Sequence, residues 1–419
     1  MKHMLGEKRG ENISAYSPAV ETELEARLLW LIREGDHITR SELMRRTGLS
    51  RGTIVSRIKT LEAKGLVETV GKNSQRVGRP SRALRYKKEA GHIVAVDLGA
   101  TSLTIGIANL NAEILYSREL QCDVTKGPAV ILPVIVDSVR RSLWELELVP
   151  SQVKGLGMGV PGPVEFASGK PVTPPIMGGW HLFPIREYLE SALGCPVYVD
   201  NDVNIMALGE KWSGLGKNVD NFIFVKVGTG IGCGIVCRGE IYRGEDGCAG
   251  DIGHIQVTNS ESIICRCGNI GCLEAVAGGA ALEKLATEAA VNGKSHVLSE
   301  IMKAKGYVKC EDIGIALSHG DPYAVEIVRS AGQLLGQTLA SIVNFFNPAL
   351  IVIGGGVANL GDLFLACVRE AIYRRSLPLA TRNVRIKRSI LDGQAGIIGA
   401  AVLVLEELYL QKWPYVMRG

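Results

Sequence analysis

The sequence predicts an α/β protein in which a small basic helical module with a two-stranded wing precedes a larger two-lobed body. Three observations predict it. Positive charge gathers in one short stretch. Within that stretch, capping residues and glycines mark off three short helices and then two strands. Further on, two strand–turn–strand segments rich in Gly and Thr lie about 130 residues apart. At 419 residues the chain is long enough for two or three domains. With 46% apolar and 21% charged residues it has ordinary globular composition, which excludes disorder. No run of 18 apolar residues occurs, and the greasiest stretches, 349–360 and 397–405, are glycine-broken or too short to cross a bilayer. Met1-Lys2-His3-Met4 leads into no apolar signal core. The expectation is a soluble cytoplasmic protein without a membrane partner.

The net charge of +4 hides an asymmetry: residues 36–88 hold 14 Lys or Arg against 4 Asp or Glu, a net of +10, which leaves −6 for the rest. A basic module on a mildly acidic body is the electrostatic footprint of nucleic-acid binding. The organisation this implies is a tail over 1–20, the module over 21–88, a first lobe over 89–200, a second over 201–390, and a C-terminal helix over 391–419 packing back on the body.

Within the module, Thr22 with Glu25 forms a capping box that starts a first helix, buried through Leu28, Leu29 and Ile32 and ended by Gly35. Thr39 with Glu42 starts a second, which buries Leu43 and Met44 and stops at Gly48. Ser50 caps a third over 51–64, with Ile54, Ile58 and Leu61 as its inner stripe. Arg51, Thr53, Ser56 and Arg57 lie off that stripe and are expected to face outward. Helix, short turn, helix with such an open face is helix-turn-helix geometry, and the second helix of the pair would enter the major groove of operator DNA. Two strands, 66–70 and 83–86, then read as a wing whose tip carries Arg76, Arg79 and Arg82 near Gly78 and Pro80, fit for a narrow minor groove. The competing reading is a three-helix bundle used for protein contacts.

The body opens with a buried strand, Ile93-Val94-Ala95-Val96, that runs into Asp97-Leu98-Gly99-Ala100-Thr101 and returns through Thr104-Ile105-Gly106-Ile107-Ala108. The second hairpin is Phe222-Ile223-Phe224-Val225-Lys226-Val227 into Gly228-Thr229-Gly230. Glycine lets a backbone approach an anion and Thr adds a hydroxyl donor, so the pair points to a phosphate-bearing ligand between two lobes. A third strand ends in Gly354-Gly355-Gly356, a turn suited to the adenosine end of a nucleotide. Between the hairpins, Asp200-Asn201-Asp202 follows a strand and enters a helix. A carboxylate there could hold or deprotonate a sugar hydroxyl, or these residues could merely cap the helix.

His254, Cys265, Cys267 and Cys272 fall within 19 positions and make a full tetrahedral zinc set with no position left for water, hence a structural zinc. The alternative is four buried residues without metal. Such a zinc would pin a loop carrying Asp251 and Glu274. Cys122, Cys195, Cys233, Cys237, Cys248, Cys310 and Cys367 are scattered and read as core.

On these pieces, together with Gly157-Met158-Gly159-Val160-Pro161-Gly162-Pro163, Gly250-Asp251-Ile252-Gly253-His254 and the knuckle from Cys265 to Glu274, the body over about 91–405 resembles the ROK family of repressors, open reading frames and kinases. With the basic module ahead of it, the layout is similar to that family's xylose- and glucose-type sugar-responsive repressors. The resemblance implies an actin-like, hexokinase-type (RNase H-like) body with sugar in the cleft. It implies that Asn201, Asp202, Asp251, His254 and Glu274 hold sugar hydroxyls, and that Asp202 is the general base if the chain is a kinase using ATP and Mg2+. Asp97, Gly99, Thr101, Gly228, Thr229 and Gly230 would then face the phosphates and Gly354 and Gly355 the nucleoside. His254, Cys265, Cys267 and Cys272 would hold zinc. The overall expectation is a regulator, more a sensor than an enzyme, with operator DNA, a sugar effector and further copies of itself (homodimer or homotetramer) as partners. Three positions depart from the family pattern: Asp251 stands where Glu is usual, Ala100 where Gly is, and Gly179 where Asn often precedes the Trp of the sugar loop.

Overall fold

The computed structural model describes residues 23–71, 82–391 and 393–409. Thr22, Arg76 and Arg79 lie outside the described residues, as do the N-terminal tail and residues 410–419.

Three helices and a small sheet form the basic module. Helix Glu23–Gly35 buries Leu28, Leu29, Leu31 and Ile32. Helix Arg40–Thr47 starts at Thr39, whose hydroxyl accepts from the Glu42 amide, and stops at the left-handed Gly48. The reciprocal half of that capping box is not made: the Glu42 carboxylate turns to Arg45 and Arg46. Helix Arg51–Ala63 is capped by the Ser50 hydroxyl, and Ile54, Ile58 and Leu61 are buried. The wing strands Val67–Gly71 and Arg82–Tyr86 pair antiparallel, and Ile38–Thr39 adds a third strand on the far side of Arg82–Tyr86.

Two five-stranded sheets organise the body. In the first the order is Val197–Asn201, Val153–Val160, His92–Leu98, Ser102–Asn109, Ile114–Gln121. In the second it is Glu240–Ile241, Ile231–Cys237, Phe222–Val227, Leu350–Gly354, Arg385–Arg388. Each sheet pairs a central strand antiparallel with its hairpin partner on one side and parallel with a later strand on the other. Both glycine hairpins are therefore the same device used twice, and their turns open at the same end of the parallel strands, where α/β sheets bind ligands.

Two helices lock the sheets together. Helix Asp202–Ser213 leaves strand Val197–Asn201 of the first sheet and packs on the second. Helix Ala395–Tyr409 is apolar almost all round and buried on every side, crossing Asp202–Ser213 and the first sheet. Their crossing is at backbone contact: a Cβ at Gly399 would collide with the Ile205 carbonyl oxygen, and one at Gly209 with that of Ala395. One continuous core includes Leu28, Leu29 and Ile32 of the basic module, Ile205 and Leu208 of the first helix and Val404 and Leu405 of the second. Module and body thus share apolar packing as well as a chain link. Among the described residues, no helix is long and apolar enough to cross a membrane.

Candidate functional site

Between the lobes lies a cavity of about 1050 Å³. Gly99, Ala100 and Thr101 line it from the first hairpin, and Gly228, Thr229 and Gly230 from the second. Asn201, Asp202, Asp251, His254 and Glu274 line it from the polar side. Gly355 is at its edge. Two expected members stand back. Gly354 ends its strand against the Phe224 ring. Asp97 lies below the first turn, one oxygen (Oδ1) buried without a hydrogen-bond partner, and Gly396 must be glycine because a Cβ there would strike the carboxylate. Burial raises the Asp97 carboxyl to about 6, against the lowering influence of Lys226. Trp180 is wholly buried, its indole donating to the Val124 carbonyl at 3.0 Å, so it belongs to the core of the first lobe.

The three adjacent Asx residues divide their work. Asp200 is buried, receiving Arg243 at 2.8 Å and the Asn204 side chain at 3.0 Å. Asn201 is the helix cap: its carbonyl oxygen accepts from the amides of Val203 at 2.9 Å and Asn204 at 3.2 Å, while its amide donates to Gly162. The capping alternative is therefore realised in Asn201, which also faces the cleft. Asp202 sits in the first helical turn and takes no part in the cap. Lys226 Nζ donates to its Oδ2 at 2.6 Å.

Sequence reasoning passed over Lys226, although its signal was printed in the motif: one cation inside the otherwise apolar strand Phe222–Val227 must find an anion. Burial works against its charge, and Asp202 and Asp97 together hold its pKa above the usual lysine value.

The knuckle adjoins the polar side. The ligand-type atoms of His254, Cys265, Cys267 and Cys272 all lie within 4.8 Å of one another. His254 Nδ1 is 3.5 Å from Cys265 Sγ, and the Cys267 and Cys272 sulfurs are 3.7 Å apart. One imidazole and three thiols in such a cluster fit a tetrahedral zinc and leave no ligand position for a reacting water. The opposite edge of the imidazole, Nε2, is 3.7 Å from Asp251 Oδ1 toward the cleft. Two residues after Cys272, Glu274 Oε2 accepts the Ile231 amide at 3.0 Å. The knuckle therefore positions two cleft residues, His254 and Glu274, and ties one of them to the second glycine hairpin.

Helix Asp202–Ser213 connects this cleft to the basic module. At its far end the Trp212 ring lies under the Arg33 guanidinium, 3.7 Å from the ring centroid, and Trp212 Nε1 donates to the Asn111 carbonyl at 3.2 Å. Arg33 also donates to the Asn111 side chain. Arg33 belongs to the first helix of the module, so a single rigid helix touches the ligand cleft at one end and the module at the other.

On the module, Arg51 and Ser56 are exposed on helix Arg51–Ala63, Thr53 is half-buried with its hydroxyl 2.9 Å from that of Ser50, and Arg82 is exposed at the wing base. Arg57 lies on the outward side expected of it, its side chain 40% exposed, but is tied back at its tip. Its guanidinium turns back to Glu25 at 3.2 Å, which also receives Lys64 at 3.4 Å. The reason is the position of Glu25, buried on the first helix, where an uncompensated carboxylate would be costly. Lys59, one turn from Ser56, is exposed instead.

Residues 22–79 match the MarR family. A glucokinase from Halalkalibacterium halodurans is 34% identical over 314 residues, 75% of this chain and 95% of that protein. The xylose repressor of Caldicellulosiruptor bescii is 28% identical over 389 residues, 91% of this chain and 95% of that one. The crystal structure of a ROK family transcriptional regulator, described as a homologue of the E. coli MLC protein, superposes with a TM-score of 0.79 at 27% identity, over 93% of this chain and 97% of that one. Residues 93–407, the two sheets, the cleft and the knuckle together, match the ROK family, and the chain belongs to it.

Proposed function

We propose that this protein is a sugar-responsive, DNA-binding transcriptional regulator, a repressor of carbohydrate-metabolism genes that releases its operator when sugar occupies the cleft. The observation that carries the reading is helix Asp202–Ser213, with Asn201 and Asp202 at the cleft and Trp212 stacked under Arg33 of the basic module. A ligand that prefers one lobe arrangement shifts that helix, and the shift reaches the DNA-binding helices through the shared core. The coverage of the relatives supports the same choice. The glucokinase match spans 75% of this chain, about the length of the body, whereas the xylose repressor match spans 91% and so takes in the module as well.

In this reading Asn201, Asp202, Asp251, His254 and Glu274 hold sugar hydroxyls. The side chains of Asp202, Asp251 and Glu274 are acceptors, and a neutral polyol supplies the donors. Arg51, Thr53, Ser56 and Arg82 face DNA. His254, Cys265, Cys267 and Cys272 hold a structural zinc that fixes the imidazole and Glu274 in place. A homodimer or homotetramer would present two modules to a palindromic site. A second reading, an ATP- and Mg2+-dependent sugar kinase with an added DNA module, rests on Asp202 beside the Gly228-Thr229-Gly230 turn.

The test selects DNA sites from a random pool with the full chain, then adds hexoses, pentoses and N-acetylated amino sugars to the complex. One sugar is expected to weaken operator binding by about tenfold or more, an allosteric coupling of ordinary size. Asp202→Ala should bind DNA normally and ignore that sugar. Loss of DNA binding in Asp202→Ala, or sugar-dependent ADP release that requires Asp202, would overturn the assignment in favour of a structural role or the kinase.

A further inference from the structure

Lys226 breaks the pattern of its strand. Phe222, Ile223, Phe224, Val225 and Val227 are buried and apolar. An ammonium among them needs an anion, and it has Asp202 at 2.6 Å with Asp97 as a second carboxylate in electrostatic reach. The two carboxylates come from different places. Asp97 is the penultimate residue of the strand that leads into Gly99-Ala100-Thr101, and Asp202 opens the helix at the cleft. Lys226 lies two residues before Gly228-Thr229-Gly230. Its stem runs against Gly228 and its charge meets Asp202, with Asp97 close enough to act on it.

In a phosphoryl-transfer site that location belongs to a divalent cation, which bridges phosphate oxygens and offsets the negative charge that the reaction gathers. A tethered ammonium can neutralise one carboxylate, but it makes a single short contact and has no exchangeable ligand positions to offer a polyphosphate. The remaining charged lining does not make up for this. Glu283 and Glu311 line the cleft toward the third glycine turn, and Lys309 on that side is paired with Glu283 at 3.4 Å.

We propose that Lys226 is a built-in counter-ion standing where a divalent cation would bridge Asp97 and Asp202, so that the cleft holds a neutral sugar without a metal–nucleotide and Asp202 acts as a fixed hydrogen-bond acceptor rather than a base. Lys226 is thus a positioning residue, and the inference rests on the sensor reading of the cleft above.

Manganese ion alone is the probe, followed by the electron paramagnetic resonance signal of free Mn2+ on the full-length protein. The wild type should show no Mn2+ uptake that depends on Asp202. Lys226→Ser should gain a site at least about tenfold tighter, since it exposes two carboxylates to a hard cation that prefers oxygen ligands. Lys226→Ser combined with Asp202→Asn should lose it again. A merely structural lysine would not create that site. An Asp202-dependent Mn2+ site in the wild type would overturn the proposal, as would a folded Lys226→Ser that takes up no more Mn2+ than the wild type. Should Lys226→Ser fail to fold, the wild type against Asp202→Asn alone still decides. Sugar-triggered operator release does not enter this titration, so a failure of the sensor reading and a failure of the counter-ion role of Lys226 are read separately.

Discussion

The cleft and the outer face of helix Arg51–Ala63 treat polar groups in opposite ways. In the cleft the polar groups that face a ligand are held in place: Asn201 by two amides, Asp202 by Lys226, Glu274 by the Ile231 amide. On helix Arg51–Ala63, Arg51 and Ser56 stand in solvent. The difference teaches what each surface is built to meet. A small ligand must find donors and acceptors already in place, since each group it ordered itself would cost affinity. A polyanion is gathered by charge at a distance and needs exposed cations more than fixed ones. Arg57 marks the border, because it lies on the outer side of the helix while its guanidinium reaches the buried Glu25.

Five changes would sharpen or break this contrast, from the largest effect to the smallest. Removing zinc, by chelation or by Cys267→Ser, should cost several kcal/mol of stability and the sugar response together, because His254 and Glu274 lose their anchor. Zinc content by plasma mass spectrometry beside a thermal melt checks it. A variant that lacks metal but melts and responds normally would return the four residues to plain core.

Asp97 gives a pH signature. Its folded pKa of about 6 lies above the 3.8 of the free acid, so the fold favours the protonated form. That contribution is fully present below the unfolded pKa and is lost as pH rises through about 6. Compared with Asp97→Asn, which cannot ionise, the wild type should lose about 2 kcal/mol between pH 4 and 6.5, at about 1.4 kcal/mol per pKa unit. Urea unfolding at both pH values measures it, and parallel profiles would contradict it.

Trp212→Ala should leave DNA binding and sugar binding each near normal and uncouple them, by about 1–2 kcal/mol in the sugar-induced change of operator affinity. Unchanged coupling would move the signal to another route, such as the C-terminal helix. Last, Arg51→Ala should weaken operator binding and lower the salt slope by about one, as for a single phosphate contact. Arg57→Ala should instead lower the melting temperature, since it leaves the buried Glu25 with less compensating charge. A melting temperature that did not move would return Arg57 to the DNA-facing set.

Much of this was legible in the residues. Gly48, Ser50 and the 0, 4, 7 spacing of Ile54, Ile58 and Leu61 mark the module's helices because caps and periodicity are local. The zinc-type cluster was legible because Cys265, Cys267 and Cys272 sit close in sequence. Lys226 was less so. Its odd charge could be seen, but not its partner, which stands 24 positions earlier on a helix of another element. Arg57 was legible only in part, for a related reason. Helical spacing gave its side of the helix correctly, but not the buried Glu25 across 32 residues that draws it in.

The sequence alone thus determined the module's helices and wing strands, the two glycine hairpins, the four metal-type ligands and the family, since each is written in neighbouring residues or in a motif of fixed spacing. The tertiary structure decided which Asx residue caps and which is left for the cleft, which cation meets Asp202, and that helix Asp202–Ser213 ends under Arg33. Those are pairings between distant segments. They are fixed by the packing of two sheets on two crossed helices whose glycines bring the backbones into contact, and no local pattern encodes which groups that packing brings together.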